Sequence, residues 1–95
     1  MTTLDQIAGQ IIKEQELIIG PLAWDEANLV KGLSVLNKET GQVSISEGVD
    51  KKLVINQLVK EYEVLFGRAA REVCREAARG LVSTLSQDEV PSSLR

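Results

Sequence analysis

Between Leu33 and Ser46 the apolar residues change from the spacing of a helix to that of a strand. Leu33 and Val35 alternate with polar residues, Val43 and Ile45 do the same, and "NKETG" separates the two runs. Such a pattern predicts a β-hairpin, with Gly41 supplying the positive φ of its turn. Two strands alone are marginal in water, so a helix must cover the Val43/Ile45 face, and the outer edges stay open to another strand. The hairpin therefore commits the chain to a mixed α+β fold.

The flanks supply the helices. A first helix is expected from Leu4 to Ile19, with Thr3 as its cap and Gln6 completing a capping box. Leu4, Ile7, Ala8, Ile11, Ile12, Ile18 and Ile19 share one side of its wheel, and Gln15 interrupts that side. Gly20-Pro21 ends the helix, and Pro21 is a suitable first residue for a short second one that stops at Gly32. Asp50 can cap a third helix, Lys51 to Phe66, in which Val54, Ile55, Leu58, Tyr62, Leu65 and Phe66 form the inner face. Leu53 and Val64 point away from that face. Gly67 separates it from a fourth helix, Arg68 to Leu85. The expected order is α-α-β-β-α-α in one domain spanning residues 1–85, followed by a polar, aperiodic, flexible tail over residues 86–95.

Composition narrows the function. With 95 residues the chain has room for one thin core. The aromatics are only Trp24, Tyr62 and Phe66, so that core must be aliphatic. A net charge of −3 argues against a dedicated nucleic-acid binder. Residues 1–48 carry three lysines against seven acids, whereas residues 49–95 carry eight basic residues against seven acids and hold all five arginines. The single cysteine fits a reducing compartment, and neither an export signal nor a membrane span is legible, so a cytoplasmic setting is expected.

Chemistry is sparse. No histidine is present, which removes the commonest general base and any His/Cys metal set. The carboxylates are scattered, and no phosphate loop, dinucleotide fingerprint or nucleophile elbow occurs. No enzyme activity, cofactor or metal is expected.

The candidates that remain are surfaces. Arg68, Arg71, Arg75 and Arg79 fall within an arc of about 80° on the fourth helix. That ridge could clamp an anion, or it could be a solvated face laced with Glu72 and Glu76, which is the simpler reading. The opposite side is built of Ala69, Ala70, Cys74, Ala77, Ala78 and Gly80, and Gly80 suggests a close contact there. Cys74, placed inward, is expected to be inert. Gln15 needs a partner in the fold, in a second copy or in a pocket. Trp24 could anchor a partner or close the core, the latter being preferred. Leu53 and Val64 form an outer apolar strip suited to a homodimer. These features lead to a small interaction module, self-associating or bound to another protein, with anion binding through the arginines as the rival.

Overall fold

The structure, a computed structural model, describes residues 2–95. Its elements follow the order α1 (Thr3–Ile19), α2 (Leu22–Ala27), β1 (Leu33–Asn37), β2 (Gln42–Ile45), α3 (Lys51–Phe66) and α4 (Arg68–Val82). The expected α+β order is therefore present, with the hairpin packed on helices.

Helix α1 begins one residue earlier than the wheel suggested. Thr2, not Thr3, is the cap: its Oγ1 accepts from Asp5 N at 3.2 Å, and the Asp5 carboxylate accepts from Thr2 N at 3.1 Å. An ionised aspartate is a stronger acceptor at a positive helix end than the Gln6 amide, which explains the shift. Pro21 likewise caps α2 instead of being its first residue.

Strands β1 and β2 pair antiparallel, Leu33 opposite Ile45 and Val35 opposite Val43, with an irregularity between Val35 and Asn37. The Asn37 Oδ1 accepts from the N–H groups of Glu39 and Thr40, and Gly41 turns at φ 77°. The hairpin lies across α1. Asp5 Oδ1 accepts from Ile45 N at 3.2 Å, and a Cβ on Gly9 would stand only 2.1 Å from the Gly41 carbonyl oxygen. The turn thus sits backbone to backbone on the helix, which only glycine at position 9 permits.

Asp50 caps α3 by accepting from Lys52 N at 3.0 Å. Gly67, at φ 82°, ends α3 and opens α4 in the same residue. Helix α4 is three residues shorter than expected, because the Ser83 and Thr84 hydroxyls turn back onto the carbonyls of Gly80 and Leu81. Helices α1 and α4 run antiparallel, with Gln15 beside Ala70 and Cys74 and Leu4 near Leu85. Ile7, Ile11 and Ile12 meet Trp24, Val43, Ile45, Ile55, Leu58, Val59 and Tyr62 in the core.

Three inner-face assignments at helix ends do not hold. Ile18, Leu65 and Phe66 are exposed, because the ends of α1 and α3 extend past the elements that would cover them. The stretch 86–95, expected as a loose tail, is folded back on α3 and α4. It forms two 3-10 turns, buries Val90, Pro91 and Leu94, and is held by Asn56, whose Oδ1 accepts from both Ser93 N and Ser93 Oγ.

Candidate functional site

The arginine ridge lies on the outer side of α4 but is not all open to water. Arg68 and Arg79 are exposed, while Arg71 and Arg75 are half-buried. Arg71 Nε donates to Ser93 O at 3.4 Å, Arg75 pairs with Glu72 at 3.2 Å, and Arg79 pairs with Glu76. Arg75, Arg79, Val82 and Leu94 line a shallow depression of about 230 Å³. The returning C-terminal segment therefore uses this side of the helix as a wall, the apolar stems of the arginines lying toward it. Three of the four guanidinium groups already have partners within the chain.

The small residues behave unevenly. Ala70, Cys74 and Ala78 are buried, but Ala69 and Gly80 are exposed. A Cβ on Gly80 would meet nothing within 4 Å, so the close contact inferred there is absent; it occurs at Gly9 instead. A glycine inside an otherwise strong helical stretch, at residue 9, was the available signal.

Gln15 is 1% exposed and is satisfied inside the fold. Its Nε2 donates to Ala70 O at 2.9 Å and to Cys74 Sγ at 3.4 Å. Burial pushes the Cys74 thiol up to about 11, against the opposing pull of the Gln15 amide. Tyr62 donates its hydroxyl to Ala23 O at 2.7 Å. Burial first, then the neighbouring Cys74 and Glu26, raises its phenol well above the usual tyrosine range. These groups are held in their protonated forms, which makes them packing elements instead of nucleophiles or bases. Trp24, 2% exposed, closes the core as preferred. Neither Gln15 nor Trp24 is presented at the surface.

Asp5 is the other buried polar side chain. Burial raises its pKa, but hydrogen bonds from the backbone of Thr2 and Ile45 and the Lys51 ammonium at 3.6 Å outweigh burial, so its carboxyl titrates below the ordinary value of 3.8. It ties the start of α1 to β2 and α3, a structural junction. Among the described residues no group of three His, Cys, Asp or Glu side chains is placed to hold a metal, and no helix is long and apolar enough to cross a membrane.

Two surface features stand out. The first is an apolar end. Leu17 (78% exposed), Ile18 (63%), Leu22 (43%), Leu65 (50%) and Phe66 (39%) belong to the last turns of α1 and α3 and the start of α2. Gly67 turns the chain at this end, and the Tyr62–Ala23 bond holds α2 against the same part of α3. Leu53 and Val64 are exposed on the outer side of α3, as expected.

The second feature is a furrow of about 540 Å³ between α1 and α4, with Ile18, Val73 and Ala77 in its floor. Gln10 and Glu14 rim one side, Glu72 and Glu76 the other. Sequence reasoning missed it. The wheel places Ala77 inward, yet α1 lies to one side of it and of Val73 and leaves both half-open. Comparison of the chain with family models, curated proteins and solved structures finds no match.

Proposed function

We propose that this chain is a small non-enzymatic interaction module that self-associates through its apolar end. The observation that carries the reading is the group of Leu17, Ile18, Leu22, Leu65 and Phe66, all large, apolar and exposed where α1 and α3 end and α2 begins. Large apolar patches on small soluble domains mark protein contacts, and a thin core gains from burying more surface. The edges of the hairpin are less suited to pairing, since β1 is irregular between Val35 and Asn37 and such distortions turn an edge away from partners. Anion binding through Arg68, Arg71, Arg75 and Arg79 has weaker support, because Arg71, Arg75 and Arg79 are engaged with Ser93, Glu72 and Glu76. The lone buried thiol of Cys74 agrees with a reducing setting such as the cytoplasm.

Sedimentation velocity over a micromolar concentration series tests the reading. The native chain should show a reversible monomer–dimer equilibrium, and the pair Leu65→Lys/Phe66→Lys should remain monomeric with an unchanged circular dichroism spectrum. A native chain that stays monomeric at every concentration rejects self-association.

A further inference from the structure

The furrow between α1 and α4 has the charge and shape of a receptor for a cationic amphipathic helix. Its floor is apolar: Val73 and Ala77 are one turn apart on α4, Leu81 continues the line into an adjoining recess that shares Gln10, and Ile18 stands at the other end. Three carboxylates border the recess holding Val73 and Ala77, Glu14 from α1 and Glu72 and Glu76 from α4; among its described lining residues there is no lysine or arginine, and the adjoining recess at Leu81 holds one cation, Lys13. The cations that pair with the two α4 glutamates, Arg75 and Arg79, stand beside them at i+3 on that helix and also line the depression beside Leu94.

The glutamates are not locked by those pairs. Side chains of Glu72 and Glu76 are 61% and 64% exposed, and exposed ion pairs are worth so little that a better-placed cation can replace them. Among the described residues, Glu14 accepts a hydrogen bond from the Gln10 amide alone, at 3.4 Å.

We propose that this furrow binds a basic amphipathic helix of a partner protein, aliphatic side chains entering the Val73–Ala77 floor and lysines or arginines engaging Glu14, Glu72 and Glu76. It deepens the interaction-module reading, from which it takes the premise that this surface serves binding, and it adjoins the self-association end, sharing Ile18 with it but none of the other four residues of that end. Helix-in-groove recognition supplies the physical pattern: apolar anchors at turn spacing give affinity, and rim charges give orientation and rate.

The probe is a labelled helical Leu/Lys peptide with leucines at turn spacing, followed by fluorescence anisotropy beside a scrambled peptide of the same composition and a Leu/Glu counterpart. The Leu/Lys helix should bind, more weakly as salt rises, and the two controls should not. Glu14→Gln/Glu72→Gln/Glu76→Gln should weaken binding about tenfold or more. Ala77→Trp, which fills the floor from a half-open position, should block it. Leu65→Lys/Phe66→Lys should leave it intact, so loss of self-association and loss of peptide binding are separable. Equal binding of the scramble, or undiminished binding by the triple glutamine variant, overturns the proposal. So does loss of the native chain's self-association in that triple variant, which would give the furrow to a second copy.

Discussion

A methyl group added at Gly9 and one added at Gly80 meet opposite surroundings. At Gly9 it collides with the Gly41 carbonyl, a backbone group that cannot swing aside; at Gly80 it enters open space. Gly9→Ala should therefore lower stability by about 1–3 kcal/mol despite alanine's better helix propensity, while Gly80→Ala should raise it by roughly 0.5–1 kcal/mol. Urea denaturation midpoints moving in opposite directions would check the pair. Asp5 carries a pH signature. Its folded-state pKa is lowered from 3.8, so its contribution is complete above that value and is lost as pH falls through the lowered one. Replacement by alanine should lower the melting temperature at neutral pH and flatten its acid dependence below about pH 4. Cys74 points the other way. Because its folded pKa stands near 11 instead of 9.0, its stabilising effect is whole below pH 9 and declines as pH rises toward 11. At neutral pH a thiol-specific reagent should label Cys74 only at the rate of unfolding; fast labelling of the folded chain would mean that it is open to solvent.

Among the elements, the C-terminal stretch departs most from what its composition suggested. "SQDEVPSSLR" has no period, so pattern reasoning reads it as a loose end, yet each of its few apolar residues finds a place against α3 and α4. Burial of isolated residues by landing on an existing surface leaves no periodic trace. Leu94→Ala should cost about 2 kcal/mol, and the native segment should resist limited proteolysis; rapid trimming back to Leu85 with no change in melting temperature would contradict its docking. Other elements were readable. The switch to period two located the hairpin, and Gly20, Gly41 and Gly67 marked real ends and turns because each adopts a positive φ. Wheels succeeded through the middle of α1 and α3 and failed at Ile18, Leu65 and Phe66, and on α4 Ala77, placed inward, is half-open. A wheel gives direction, but it does not reveal whether a neighbouring element reaches far enough to cover what points there.

At the scale of the whole molecule, the candidate surfaces were legible only in part. Leu53 and Val64 could be recognised as outward because their direction on the α3 wheel is opposite the inner face, and both are exposed. Gln15 and Trp24 looked like interface residues because they are anomalous in sequence, but the fold absorbs each one. The apolar end and the acidic furrow depend on where helices stop and how far apart two of them lie, which no single segment encodes. Self-association through that end is the claim on which the functional account rests. Methyl NMR on serial dilution tests it most directly. The account predicts that signals of Leu17, Ile18, Leu22 and Leu65 move together as a dimer dissociates, while those of Val43 and Ile45 beneath the hairpin stay fixed. Shifts absent from the apolar end, or confined to Leu36 and the hairpin edge, would contradict it.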